Sequence, residues 1–279
     1  MSFFASGPVH TALIVGALVA VVSGPVGVFT VIRGQSFAGH ALADTGTTGG
    51  SGAFLVNVNP LYGFVALNLI AAAVMEALGV RRARGRDVAT GIVLGAALGL
   101  SALFLDLETR SSTTGATITV LFGSIFTLDP GTVPFVAVTA GVAVAVMAVL
   151  YRPLLLSSVS PELAAARGLP AGVVSAGYLL ALALAVSLSA VTIGAILSTA
   201  LLVGPAATAL RLTRRPGAAV LAAAGIGTAA TWAGVALSYE SYYWPPYQQG
   251  WPVSFFVVFV VLAAYLAATA ATAGRKGRR

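Results

Sequence analysis

Two ionisable side chains stand four residues apart in a stretch that otherwise carries no charge. His40 and Asp44 lie within segment 34–75, and a helix places both on one face. Imidazole is the commonest metal ligand in proteins, and carboxylate suits harder divalent ions. The pair therefore predicts a weak site for a dehydrated Zn²⁺ or Mn²⁺ ion, with two ligands that can also release it.

The composition places this pair in a membrane protein. Of 279 residues, 58% are hydrophobic and 8% charged, whereas soluble domains carry about 25% charged residues. So few charges cannot cover a soluble fold of this length, which excludes an ordinary soluble enzyme and a disordered chain. The absence of cysteine excludes disulfides, thiolate metal sites and cysteine nucleophiles.

The membrane setting favours a functional role for His40 and Asp44. A charge at the bilayer centre costs about 2.5–3.5 kcal/mol on insertion scales, so intramembrane ionisable residues usually serve function. The alternative is a structural pair in which each side chain satisfies the hydrogen bonds of the other. His10, the other histidine, lies at the mouth of the first crossing, and an interface position accounts for it.

Long charge-poor stretches mark the crossings, each of which needs about 20 apolar residues. They predict an all-α polytopic bundle with a turn between two crossings near Ser187–Ser189, and one domain over residues 1–279. The nine predicted crossings lie near 10–32, 40–57, 61–80, 88–106, 133–151, 171–188, 191–210, 217–238 and 252–273.

The basic clusters predict the orientation, because cytoplasmic loops carry an excess of Lys and Arg. They place the N-terminus outside and the C-terminus in the cytoplasm. Segment 111–128, with eight Ser or Thr in eighteen positions, is not counted as a crossing, since that would put Arg152 outside. It is interpreted as a re-entrant half-helix, with a plain outer loop as the alternative. The clusters are Arg33, Arg81–Arg86, Arg152 with Arg167, Arg211–Arg215 and Arg275–Arg279.

A short helix is predicted between the fifth and sixth crossings. Ser160 is a good N-cap and Pro161 a good first residue, Glu162 and Arg167 complement the helix dipole, and Gly168 ends the helix. This helix is either a connector or a lever that docks in a cleft of a partner ATPase. The residues assigned to that contact are Ser160, Pro161, Glu162, Leu163, Ala164, Ala165, Arg167 and Gly168.

Motifs for catalysis are missing. The sequence has no G-x-x-x-x-G-K-[ST], so the chain does not itself bind and hydrolyse ATP through a P-loop. It also lacks G-x-S-x-G and H-E-x-x-H, the signatures of familiar hydrolases. The chain is therefore predicted not to be an enzyme.

Four stretches together resemble the permease subunit of the zinc, manganese and iron ABC importer family. The last two of them are the more specific. One difference is that the family's second helix carries the acidic residue before the histidine, whereas here His40 precedes Asp44 at the same spacing. The four stretches are GVFTVIR (27–33), LFGSI (121–125), SPELAAARGLP (160–170) and STALLVGPAATA (198–209).

The resemblance implies a permease homodimer in a bacterial cell membrane, bound to two cytoplasmic ATP-binding subunits. Segment 160–168 becomes the coupling helix, and an extracellular or periplasmic metal-binding protein delivers Zn²⁺ or Mn²⁺, with Fe²⁺ as a third candidate. The chain itself binds no cofactor, because ATP belongs to the partner. Nucleic acid is not an expected partner.

The segment Tyr239–Pro252 is predicted to face outside as a platform for the delivering protein. Six of its fourteen residues are Tyr or Trp, which are enriched both at membrane interfaces and in protein interfaces. The residues assigned to docking are Tyr242, Tyr243 and Trp244. The alternative is an aromatic belt alone.

Three other functions remain as alternatives. A proton-coupled secondary transporter would use His40 and Asp44 as a proton relay, but it would not require the helix at 160–168. A membrane-embedded hydrolase with His40 as base lacks a recognisable nucleophile motif. A purely structural subunit would not require the His40–Asp44 pair.

Overall fold

The computed structural model describes residues 6–79, 83–110, 121–123, 125–244 and 250–276. It confirms the predicted all-α polytopic bundle, in which each predicted crossing coincides with one long helix. The helices with described bounds are α1 (Gly7–Ile32), α2 (Ser36–Leu55), α3 (Pro60–Gly79), α4 (Ala83–Arg110), α5 (Val133–Val159), α6 (Pro161–Ala166), α7 (Ala171–Ile193), α8 (Ala195–Leu212), α9 (Pro216–Ser241) and α10 (Val253–Lys276).

The described long helices, α2 excepted, are eight in number and apolar enough to cross a membrane. α2 is rich in Gly and Thr, and most of its residues are buried against neighbouring helices. Its hydroxyls find internal partners: Thr45 donates to the carbonyl of Ala41 over 2.7 Å, and Thr48 donates to the carbonyl of Ala97 on α4 over 2.7 Å. α2 is therefore surrounded by protein over most of its length, and the buried hydroxyls of Thr45 and Thr48 are satisfied there without water.

Close backbone packing holds α2 against α3. A Cβ added to Gly49 would lie 2.7 Å from the carbonyl carbon of Gly63, so only glycine fits at this crossing. Phe64 of α3 packs in the same way onto Gly46 and Gly50. Small residues allow helices to approach closely in the absence of a hydrophobic driving force, which fixes the path of the helix that carries His40 and Asp44.

α7 runs through the centre of the bundle. Its side chains Tyr178, Leu182 and Leu188 are fully buried, and it packs on α1, α3, α5 and α8. α4 and α10 are peripheral, with exposed apolar side chains such as Ile92 and Phe259. The core is therefore organised around α1 and α7, and the outer helices present apolar residues to the membrane.

The predicted turn near Ser187–Ser189 is wrong. α7 continues to Ile193, and the helix is interrupted at Gly194, which has φ of +90°. Ser187 donates to the carbonyl of Ala183 over 2.8 Å, and the hydroxyl of Ser189 lies 3.2 Å from that of Ser23. Serine hydroxyls that bond within the helix or to a neighbour do not interrupt it, whereas a positive φ does.

The re-entrant segment predicted at 111–128 falls largely outside the described residues, which omit 111–120 and 124. Its described part packs against the break between α7 and α8. Gly123 has φ of +78°, and a Cβ added there would lie 2.6 Å from the carbonyl oxygen of Thr192. The backbones around Gly123 and Gly194 are therefore in direct contact.

The bundle has two chemically distinct ends. At the basic end, α1 ends beside Arg33, α5 passes into α6, and α8 ends at Leu212. At the aromatic end, α9 ends at Ser241 and α10 begins at Val253, with exposed Tyr and Trp side chains between them. α7 connects the two ends, from Ala171, five residues after α6 ends, to the break at Gly194.

Candidate functional site

The turn between α1 and α2 sets the position of the predicted site. Gly34 has φ of +64°, and the N–H of Gln35 donates to the carbonyl of Thr30 over 2.9 Å. α2 then begins at Ser36. At 1.5 Å per residue, His40 lies about 6 Å along the axis from the start of α2 and Asp44 about 12 Å. The pair thus lies in the half of α2 that is nearer the basic end.

The structure brings His40 and Asp44 together. Nε2 of His40 lies 3.6 Å from Oδ2 of Asp44, and their side chains are 50% and 21% exposed. Two ligands bound to one tetrahedral ion at about 2.1 Å would be about 3.4 Å apart. One divalent ion can therefore sit between these two atoms with little change in either side chain.

The His40–Asp44 site is exposed on one side. Phe37, one turn before His40, is also exposed, while most of the rest of α2 is buried. Within the described residues, no group of three or more His, Cys, Asp or Glu side chains could hold a metal ion. An ion held by this pair would therefore complete its coordination with ligands other than His, Cys, Asp or Glu of the described part, such as water or groups of a second chain.

A small polar cavity lies beside the first turn of α2, and sequence reasoning did not find it. Its volume is 140 Å³. Glu76, on its wall, accepts a hydrogen bond of 2.6 Å from the hydroxyl of Ser175, which joins α3 to α7. The lining residues that carry polar side chains are Arg33, Gln35, Glu76, Asp87 and Thr90. The signal in the sequence was four charged or amide residues at predicted crossing ends, but their distances along the chain conceal that they meet.

α6 has the predicted caps. The hydroxyl of Ser160 accepts from the N–H of Leu163 over 3.2 Å, and Pro161 is the first helical residue. At the other end, Gly168 has φ of +72° and its N–H donates to the carbonyl of Ala165 over 2.9 Å. These contacts define a rigid turn of helix between α5 and α7.

The surface of α6 divides into an anchored side and an exposed side. Ala164 is buried and the helix packs on α5. Leu163 is 45% exposed although it is apolar. The exposed residues among those assigned to partner contact are Pro161, Glu162, Leu163, Ala165, Arg167 and Gly168.

The aromatic end presents the three predicted docking residues. Tyr242 and Tyr243 are exposed, and their rings meet edge to face at 5.7 Å between centroids. Trp244 packs edge to face on Phe256 at 5.9 Å. The two tyrosines also line a cavity of 770 Å³ that reaches down to Gly123 and Thr192 at the break between α7 and α8.

A buried polar contact links α3 to α7 and was also missed. Asn68 is fully buried, and its Nδ2 donates to the hydroxyl oxygen of Ser187 over 2.9 Å. It lies beside Gly46, two residues beyond Asp44. A polar residue inside a predicted apolar crossing was the available signal, and it marks the helix that packs directly on α2.

Known proteins resemble this chain in sequence. A sequence model described as the ABC 3 transport family matches residues 8–270. The manganese import system permease protein ScaB of Streptococcus pneumoniae is 31% identical over 83% of this chain and 81% of its own length. The high-affinity zinc uptake system membrane protein ZnuB of Haemophilus influenzae is 28% identical over 74% of this chain and 78% of its own.

The fold also matches a solved structure. A chain of PsaBC from Streptococcus pneumoniae, determined in complex with a Fab, superimposes with a TM-score of 0.80. The match covers 95% of this chain and 92% of that chain at 22% sequence identity. This agreement concerns the arrangement of the helices.

Proposed function

Because this chain belongs to the ABC 3 transport family, we propose that it is the membrane-spanning subunit of an ATP-driven importer of divalent transition-metal ions. Residues 1–279 act as one permease domain. The cargo is Mn²⁺ or Zn²⁺, the ions named for its relatives ScaB and ZnuB, and Fe²⁺ is the third candidate. ATP is hydrolysed by a separate partner chain.

The observation that carries this proposal is the His40–Asp44 pair. An imidazole nitrogen and a carboxylate oxygen 3.6 Å apart are spaced to share one ion. Nitrogen and oxygen donors of this kind suit Mn²⁺ and Zn²⁺. An intramembrane position raises the cost of leaving the carboxylate without a cation.

The incomplete ligand set suits transport better than storage. Metal-bound ligands are a neutral imidazole and a carboxylate, so the pair would contribute one negative charge and leave a divalent ion with a net positive charge. Two protein ligands give up an ion more readily than the four of a structural site. The exposed side of the pair also leaves room for a second copy of the chain, so we place this face at the dimer axis.

Energy enters through α6. In this proposal the exposed side chains of Glu162, Leu163 and Arg167 dock in a cleft of the ATPase, while buried Ala164 anchors the helix to α5. Each permease of the homodimer binds one ATP-binding subunit. The basic end then faces the cytoplasm, in keeping with the positive-inside rule, so the N-terminus lies outside and the C-terminus inside.

Metal arrives at the aromatic end. Tyr242, Tyr243 and Trp244 form the exposed rim on which an extracellular or periplasmic metal-binding protein docks. Exposed aromatic side chains of this kind are enriched in protein interfaces. The protein resides in a bacterial cell membrane, where this end points away from the cytoplasm.

The proton-coupled secondary transporter is not favoured. Membership of an ABC family assigns the energy source to ATP rather than to a proton gradient. The capped α6, which such a carrier would not require, is explained by docking to the ATPase.

The test is metal uptake in a bacterium that lacks its own importers. Cells receive the chain together with its ATPase and delivering protein, or the same set without the chain, and are supplied with radiolabelled Mn²⁺, Zn²⁺ or Fe²⁺. We expect uptake of Mn²⁺ or Zn²⁺ only with the complete set, and its loss when the proton gradient is kept but ATP is depleted. Uptake that follows the proton gradient instead would contradict the proposal.

A further inference from the structure

Arg33 contacts both helices that flank α6. One of its terminal nitrogens donates to the hydroxyl of Ser157 on α5 over 3.1 Å. Its guanidinium carbon lies 5.3 Å from the centre of the ring of Tyr178 on α7. Ser157 stands three residues before the N-cap of α6, and α7 begins five residues after α6 ends. One side chain therefore joins the segment that enters α6 to the helix that leaves it.

The backbone of Arg33 is at the same time part of the joint between α1 and α2. Its N–H donates to the carbonyl of Phe29 over 2.9 Å, which caps the end of α1. The N–H of Gln35 reaches back to Thr30, and the N–H of Gly39 donates to the carbonyl of Gln35 over 3.2 Å. The end of α1, the turn and the first turn of α2 are thus one hydrogen-bonded unit.

His40 follows this unit directly. It lies seven residues after Arg33, on the second turn of α2, so a shift of the joint displaces the imidazole relative to its surroundings. A Cβ added to Gly39 would lie 3.1 Å from the side chain of Leu202 on α8, so the two helices pack closely here. The start of α2 is therefore packed closely enough to respond to a movement of its neighbours rather than absorb it.

The ring of Tyr178 makes the contact with Arg33 directional. Tyr178 is fully buried, and its hydroxyl lies 2.8 Å from that of Thr30. Because the Thr30 hydroxyl donates to the carbonyl of Val26 over 2.8 Å, the Tyr178 hydroxyl donates to Thr30. The ring is held in place by α1, and the guanidinium lies over it as a cation–π pair, which strengthens as water is excluded.

Resting on the proposed function above, we propose that Arg33 is the positioning residue that transmits the movement of α6 to the metal-binding pair on α2. When the ATPase displaces α6, Ser157 and Tyr178 move with the two flanking helices, and the guanidinium carries that movement to the α1–α2 joint. The cavity of 140 Å³ beside Arg33 gives the side chain room to shift. Arg33 touches no metal; it sets where His40 stands.

The test uses the complete complex of permease, ATPase and delivering protein in proteoliposomes. Metal uptake and ATP hydrolysis are measured in the same vesicles, and their ratio is the readout. Arg33→Gln removes both the cation–π contact and the charge-assisted hydrogen bond. We expect ATP hydrolysis to stay within about twofold of wild type while metal uptake falls about tenfold. Loss of a desolvated cation–π contact and a charge-assisted hydrogen bond costs about a factor of ten.

A matched control exists at the same end of the bundle. Arg211 donates to the hydroxyl of Tyr265 over 2.7 Å and lies 4.9 Å from the centre of its ring, but these contacts join α8 to α10. Arg211→Gln removes the same charge and the same two kinds of contact. We expect its uptake-to-hydrolysis ratio to remain that of wild type.

Two further variants separate transmission from simple destabilisation. Arg33→Lys keeps the charge without the planar fork, and its ratio should lie between those of wild type and Arg33→Gln. Ser157→Ala combined with Arg33→Gln should be no worse than Arg33→Gln alone, since both act on one contact.

Three results overturn the inference. They are an unchanged ratio in Arg33→Gln, an equal loss of hydrolysis and uptake, and a ratio reduced as much in Arg211→Gln. A wild-type complex that hydrolyses ATP without carrying metal overturns the proposed function itself, and this inference with it.

Discussion

Gly123 lies with its backbone against that of Gly194, and both residues have positive φ, of 78° and 90°. A Cβ on Gly194 would stand 2.6 Å from the Cα of Phe122. The contact fixes the segment before α5 onto the break between α7 and α8, at the floor of the aromatic-end cavity. Neither position has space for a side chain.

We expect Gly194→Ala to destabilise the protein by about 2 kcal/mol or more, from the left-handed backbone and the steric clash together. Thermal unfolding in detergent measures this as a lower apparent Tm. Gly91→Ala on peripheral α4 is the control, because an added Cβ meets nothing within 4 Å there. The Gly91 variant should equal or exceed wild type, and a Gly194 variant that does the same would contradict the packing described.

Ala165→Trp tests α6 as a docking element. Ala165 is exposed and Ala164 is buried, so bulk at 165 leaves the anchored side intact while blocking a fitted cleft. We expect normal membrane insertion, loss of copurification with the ATPase and loss of metal uptake. Ala270→Trp, at an exposed position on α10, is the control and should retain all three properties. Retained copurification and coupled transport in Ala165→Trp would reduce α6 to a connector.

Replacing Tyr242, Tyr243 and Trp244 together with Ser tests the docking platform. All three side chains are exposed, so the loss should fall on partner binding rather than on the core. We expect weaker binding of the delivering protein, measured by titrating that protein onto permease in nanodiscs. Phe259→Ser, at an exposed site on α10, controls for a simple loss of membrane anchoring. Equal binding before and after the triple replacement would leave only an aromatic belt.

The exchanged double variant, His40→Asp with Asp44→His, tests whether the pair works as a unit. It keeps one imidazole and one carboxylate four residues apart, so both ligands stay on one face of α2. We expect uptake within about tenfold of wild type, since a disturbed metal site loses about tenfold in affinity or activity at the lower end of the usual range. Either single exchange, which leaves two like ligands, should lose more. A double variant as inactive as the single ones would indicate that the position of each ligand, rather than the pair, is required.

The sequence predicts the bundle well because membrane-spanning segments are recognised by their lack of charged residues. Charge-poor runs long enough to cross a membrane coincide with the helices, and even polar α2 is found because it lies between Arg33 and the apolar run predicted as the crossing at 61–80. The caps of α6 can also be predicted from its sequence, since capping depends on neighbours three or four residues away. The i,i+4 pair is local in the same sense.

What the sequence does not predict depends on distant partners. The sequence predicts the break between α7 and α8 at Ser187–Ser189, where two polar residues interrupt an apolar run, whereas Gly194 is one glycine among 32. The sequence marks Arg33 as an orientation charge and as the end of the stretch GVFTVIR, but it does not indicate the contact with Ser157, which is 124 residues away. Contacts of this length are fixed by packing, which a single sequence does not display.

The most direct test of the central claim is metal uptake by His40→Ala and Asp44→Ala in the assembled complex. Permease, ATPase and delivering protein are copurified from each variant to confirm assembly, and radiolabelled Mn²⁺ and Zn²⁺ uptake is then measured in proteoliposomes with ATP inside. We predict that both variants assemble, and that neither transports the ion that wild type carries. Wild-type uptake in the His40→Ala, Asp44→Ala double variant would contradict the account.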